Sequence, residues 1–269
     1  MIPIRDHNPT LRRPIVTFCL VVACLAVFLV VQPSGSRSLD VPTEQETIDD
    51  ITFTFERAAI PCELSEGRPL TISEIRATVV DGDATACEHR TGSALSPFPN
   101  KNIWGAVVVS MFLHAGWVHL IGNLLFLWIF GNNVEDQMGR FTYLLFYLVA
   151  GVVATAAHVL VQVDSTVPLV GASGAIAGVM GAYLVWFPWA RVRTVILLAF
   201  IPIWPRIPAI ALLIVWFVSQ FYIGDDAGIA WVAHVAGFVF GVVAGIIART
   251  DDVFERSLLH QYRRMARIR

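Results

Sequence analysis

Residues 170–189 read VGASGAIAGVMGAYLVWFPW. No Asp, Glu, Lys or Arg interrupts them, and a bilayer-crossing helix needs about 20 such residues. At about 100° per residue, Gly171, Gly174, Gly178 and Gly181 fall within a sector of roughly 80°. A stripe of that kind lets a neighbouring helix backbone approach closely. The segment therefore reads as a membrane helix built to be crossed tightly by another, and Ser173 sits beside the stripe at its outer end. Taken alone, Ser173 reads first as a serine back-bonded to its own helix, as hydroxyl side chains in membrane helices are.

The crossing partner is legible at residues 229–248. Ala230, Ala233, Gly237, Gly241 and Gly245 share one face, within roughly 120° by the same helical period. His234 lies on that face, so it points into a helix–helix contact. A structural histidine bonded to a neighbouring carbonyl is the plain reading. Pairing the two small-residue stripes instead brings Ser173 and His234 together, as a nucleophile and the base it needs.

Working outward, apolar stretches also occupy 14–32, 104–130, 141–162 and 207–223, which makes six expected spans. The segment 192–206 is broken by Arg193, Pro202, Pro205 and Arg206 and reads as an interfacial connection. The chain is 56% hydrophobic and 15% charged, against roughly 25% charged in soluble domains. With the N-terminus inside, Arg5, Arg12, Arg13, Arg140, Arg191, Arg193, Arg206 and the basic tail after Arg249 all fall on the inner side. The short outer loops carry only Asp164, Asp225 and Asp226, the asymmetry that the positive-inside rule describes. The expected organisation is a cytosolic tail (1–13), a first helix (14–32) retained as an anchor, an extracytoplasmic loop (33–103), a membrane domain (104–248) and a cytosolic tail with helical potential (249–269).

The outer loop is expected to hold a small ordered patch around Thr52–Phe55, without a separate core of useful size. On this topology Cys62 and Cys87 lie in an oxidising compartment, where they form a disulfide or remain two thiols. Cys19 and Cys24 read as packing residues of the first helix.

Ionisable or strongly polar side chains within membrane helices are costly and call for a reason. His119 and Asn123 are spaced i, i+4 and share a face. Both can donate hydrogen bonds to an anion that forms only during acyl transfer, or can tie spans together. His114, about 140° away on a continuous helix, suits loop anchoring, and His158 reads as structural. Glu135, in the cluster 131–140, is expected to tie inner helix ends.

These residues resemble the rhomboid family of intramembrane serine proteases over about 100–250. His119 and Asn123 match its His-x-x-x-Asn, with His114 at the additional upstream histidine. Gly171-Ala172-Ser173-Gly174 matches Gly-x-Ser-Gly, and His234 with Gly237 and Gly241 matches the sixth-span motif. The resemblance implies an all-α polytopic membrane protein, a six-transmembrane-helix bundle with a long extracytoplasmic first loop. It further implies a Ser173–His234 dyad with His119, Asn123 and the Ser173 N–H binding the oxyanion. Substrates would be single-span membrane proteins, gated by the fifth span and the outer cap before the sixth. The expected setting is a bacterial plasma membrane, with both termini cytoplasmic and the active site opening outward. No cofactor, metal or nucleic acid is expected.

Two departures stand out. Some members carry a Tyr one turn after the serine, under the histidine; here that position is Ala177, so Trp231 or a residue of another span must orient His234. The long, Cys-bearing first loop also differs from the family's embedded one. A non-enzymatic, client-binding member is the runner-up, although such relatives usually lack the Ser or the His. Haem or metal binding by the membrane histidines ranks behind it, since the His-Glu-x-x-His of metalloproteases is absent.

Overall fold

Period-3.6 apolar segments become helices here, and one period-2 segment becomes the strand that organises a small sheet. The computed structural model describes residues 2–38, 40–89, 95–198, 201–222 and 230–249. Strand β1 (Ile2–Asp6) precedes helix α1 (Ile15–Ala26), which continues as a π-helical turn through Val31. Helices α2 (Glu44–Arg57), α3 (Pro61–Glu66) and α4 (Ile72–Val79) form the segment expected as the outer loop. Then come α5 (Ile103–Ser110), α6 (Trp117–Met138), α7 (Arg140–Val161) and α8 (Ser173–Trp186). Strands β2 (Arg191–Leu198), β3 (Ile201–Ile203) and β4 (Arg206–Pro208) lead to α9 (Ala209–Gln220) and α10 (Trp231–Arg249).

Three of these helices, α6, α7 and α10, are long and apolar enough to cross a membrane. Ile15–Val31, α8 and α9 are shorter apolar helices. Helix α8 is the centre of the bundle, buried from Gly174 to Tyr183. Its glycine stripe packs on that of α10 as expected. A Cβ at Gly237 or Gly241 would run into the carbonyl oxygens of Gly174 and Gly178, and one at Gly181 into that of Phe238. Leu127, Phe130, Tyr143, Tyr147 and Met180 fill the core around α8.

The structure corrects four expectations. The fold is mostly helical rather than all-α, because 191–208 and the N-terminal tail build a four-stranded sheet. Ile2 pairs with Val195 and Asp6 with Val192, while Arg191 pairs with Pro208. The cause is alternation: Arg191 and Arg193 are exposed while Val192 and Thr194 are buried, a strand's two faces. Second, the stretch 104–130 is two helices. The chain turns between Ser110 and Trp117, where the Gln32 amide exchanges two hydrogen bonds, 2.8 and 2.9 Å, with the backbone of His114. Third, His114 therefore lies in that turn, and its angle to His119 on a continuous helix has no meaning. The fourth correction concerns the outer segment, which does have a core.

That core comprises Phe55, Ile60, Cys62 and Leu70. Capping boxes at Thr43–Glu46 and Thr71–Glu74 start α2 and α4, satisfying first-turn N–H groups. A Cys62–Cys87 disulfide and a buried Lys101–Glu63 ion pair close the subdomain. At the other end of the bundle, Glu135 accepts from the N–H groups of Val16 and Thr17 and from Thr17 Oγ1. That carboxylate caps the start of α1, as its position suggested. His158 is buried on α7. The cap 223–229 and the tail 250–269 lie outside the described residues.

Candidate active site

Ser173 is the first residue of α8, so the N–H groups of its opening turn have no acceptor within the helix. His234 lies in the first turn of α10. The glycine crossing brings these two helix starts together, and Ser173 Oγ lies 2.7 Å from His234 Nε2. Both side chains are half-buried, reachable yet largely shielded from water.

His119 and Asn123, one turn apart on α6, converge on the backbone just before the serine. An ideal Cβ at Gly171 would lie 2.6 Å from His119 Nε2 and 3.5 Å from Asn123 Nδ2. Gly171 also has φ +121, a conformation L side chains rarely adopt, so glycine is required there twice over. The N–H of Ala115 donates to His119 Nδ1 at 3.4 Å, which leaves the hydrogen on Nε2, facing Gly171. Asn123 Nδ2 is buried and has no hydrogen-bond partner among the described residues. Two donors thus aim at one place, beside the first-turn N–H groups of α8. The His114 ring packs edge-on against His119 at 5.2 Å, supporting it from the turn.

One residue escaped the sequence reading. Gln220, the last residue of α9 and buried, places its Oε1 2.8 Å from His234 Nδ1. Trp216, one turn earlier, lies 6.0 Å from the His234 ring. Trp231 packs on Phe221 instead. Ala177, at the position where some rhomboid members carry a Tyr, lies against Gly237 and keeps the crossing close. Polarity at the end of an apolar helix was the available signal for Gln220. Two cavities, of about 460 Å³ between the end of α2, residues 97–102 and α5, and of about 420 Å³ between α2, α5 and the π-helical turn after α1, are lined by neither Ser173 nor His234.

Fold and site together define a class: a mostly helical integral membrane protein with a serine and a histidine in contact at a helix crossing. Residues 100–250, more than half of the chain, match the family model of the rhomboid domain. The chain belongs to the rhomboid family. It is 34% identical over 151 residues to "Rhomboid-like protein 11, chloroplastic" of Arabidopsis thaliana, covering 54% of this chain and 53% of that one. It is 42% identical over 81 residues to "Rhomboid protease GluP" of Bacillus subtilis, covering 30% of this chain and 15% of that one. It is 25% identical over 183 residues to "Rhomboid-type serine protease 2" of Emericella nidulans, covering 63% and 34%. The matches thus span about half or less of these relatives' own lengths.

Proposed function

We propose that this chain is an intramembrane serine endopeptidase, cutting peptide bonds in or near the membrane segment of single-span proteins. The observation that carries the reading is the 2.7 Å contact between Ser173 Oγ and His234 Nε2. A serine hydroxyl is a poor nucleophile until a base within hydrogen-bond reach takes its proton.

In this mechanism Ser173 Oγ attacks the scissile carbonyl as its proton passes to His234 Nε2. The carbonyl oxygen becomes an oxyanion, held by His119 Nε2–H, Asn123 Nδ2–H and the Ser173 N–H. Collapse breaks the C–N bond, and His234 returns the proton to the leaving amine, leaving an acyl-Ser173 ester. A water deprotonated by His234 then attacks the ester, and collapse releases the new carboxyl end and regenerates the serine. Protonation and charge stabilisation are both supplied by groups already in position, which is where catalysis gains most.

The proposal includes six spans, adding Ile15–Val31, α8 and α9 to the three longer helices. A 14-residue α8 is about 21 Å long against a hydrocarbon core of roughly 30 Å. A helix that short would leave Ser173 below the outer surface, where a substrate helix can be met. The N-terminal tail, the inner sheet and the C-terminal tail would lie in the cytoplasm of a bacterial cell, with the site opening outward from its plasma membrane.

The test is labelling with a fluorophosphonate, alongside Ser173→Ala and His234→Ala, and a cleavage assay on a generic single-span substrate. Wild type should label and cleave, and both variants should fail. Equal labelling of Ser173→Ala would remove the serine from its role.

A further inference from the structure

The hydrogen-bond network around His234 fixes more than its position. Gln220 Nε2 donates to the Trp216 carbonyl at 3.0 Å and to Ser219 Oγ at 3.3 Å. Ser219 directs its own hydrogen to the same carbonyl, 2.6 Å away. Both neighbours of Nε2 are therefore acceptors, which sets the orientation of the amide, otherwise ambiguous by shape alone. The oxygen of Gln220 must face the histidine. An amide oxygen only accepts, so His234 Nδ1 must carry the hydrogen. The other nitrogen, Nε2, then holds a lone pair, and it is the one that faces Ser173 Oγ.

We propose that Gln220 is the positioning residue of the site, holding His234 in the one tautomer that can take a proton from Ser173. This assignment rests on the serine hydrolase reading. It fills the role given to a buried Asp in triad enzymes, where the wrong tautomer costs about 10⁴ in turnover, but it does so with a neutral amide. Gln220 is also a polar link at a contact rich in aromatic rings. Phe217 meets Phe238 at 4.9 Å, Trp216 meets Phe238 at 5.8 Å, and Phe221 meets Trp231 at 5.9 Å. Because Gln220 closes α9, the base is correctly set only while α9 is seated against α10.

The test compares fluorophosphonate labelling rates across pH for wild type, Gln220→Met and Gln220→Glu. Met keeps the length and removes the acceptor. Glu keeps the acceptor and adds charge. Gln220→Met should label about ten- to a hundredfold more slowly, losing part of the roughly 10²–10⁴ that general-base assistance supplies. Gln220→Glu should still label, with the acidic limb of its profile moved up by about one pH unit or more, since an adjacent carboxylate favours the charged imidazole. A Met variant that labels like wild type at every pH overturns the assignment. So do Met and Glu variants that are equally slow with an unmoved profile, which is what lost packing alone would give. Absence of labelling in wild type would instead overturn the hydrolase reading, and this assignment with it.

Discussion

Ala59 and Ser110 are joined by a hydrogen bond of 2.7 Å, from the backbone N–H of Ala59 to the side-chain oxygen of Ser110. The carbonyl of the same serine accepts from the N–H of Gly171 at 2.9 Å, and Leu169 N–H donates to the Ala59 carbonyl at 2.8 Å. The outer segment is thus bonded to the backbone that leads into Ser173. Ser110 is buried, so Ser110→Ala leaves the Ala59 N–H without an acceptor, at a cost of about 1–3 kcal/mol. The expected outcome is a lower unfolding midpoint in detergent and faster protease trimming of residues 40–100. An unchanged midpoint with unchanged trimming would show that the contact carries no stability.

The Lys101–Glu63 pair makes a stronger claim on the same subdomain. Lys101 Nζ lies 2.5 Å from Glu63 Oε2, with side chains only 1% and 2% exposed, and also donates to the Phe55 carbonyl. Lys101→Met strands a buried carboxylate, which typically costs about 3–5 kcal/mol. Adding Glu63→Leu removes the stranded charge, so the double variant should recover much of the loss. A thermal-melt double-mutant cycle checks this. If the double variant is as unstable as the two singles combined, the two groups are not coupled.

Asp6 gives the sheet end of the molecule a pH dependence. It accepts from Tyr183 Oη at 3.0 Å and from Asn133 Nδ2. Burial raises its pKa from 3.8 to about 6, against the lowering effect of those bonds and of Arg5. The folded state therefore holds the proton more tightly than the unfolded chain. The stabilisation is complete below pH 3.8 and is lost as pH rises through 6. At roughly 1.4 kcal/mol per unit, the change is of the order of 3 kcal/mol. Asp6→Asn removes the titration and keeps an oxygen for Tyr183. Between pH 4 and pH 7 the wild-type midpoint should fall relative to that of the Asp6→Asn variant; parallel midpoints would mean that the carboxylate is solvated after all.

Much of this was legible because helical periodicity is written into small residues. Gly174, Gly178 and Gly181 against Gly237, Gly241 and Gly245 are enough to pair α8 with α10, and that pairing alone brings Ser173 to His234. Gln220 was not legible, since the segment joining it to His234 fixes no register and a terminal glutamine looks like any span-end residue. The turn at 111–116 is hidden inside an apolar run, so a continuous helix was the natural reading. The outer helices did have a signal, Thr43-x-x-Glu46 and Thr71-x-x-Glu74, outweighed by the polar composition around it. The sheet had one as well, in the alternation of Arg191 to Thr194, but its partner strand lies at the far end of the chain.

Asn123 separates stability from turnover most cleanly. Its Nδ2 is buried without a partner among the described residues, and an unmade hydrogen bond of that kind costs the resting fold about 1–3 kcal/mol. In the proposed mechanism the group gains its acceptor only when an oxyanion forms, and so favours the transition state over the bound substrate. Asn123→Ala should therefore leave the unfolding midpoint unchanged or raise it. Over the same preparations kcat should fall about 100- to 1000-fold, with KM nearly constant. Gly171→Ala should behave differently, because its Cβ meets the His119 ring and its φ of +121 is strained for alanine; there, stability and kcat should fall together. An Asn123→Ala protein that loses stability and keeps its kcat would make Asn123 interhelical glue, and the oxyanion would then rest on His119 and the Ser173 N–H alone.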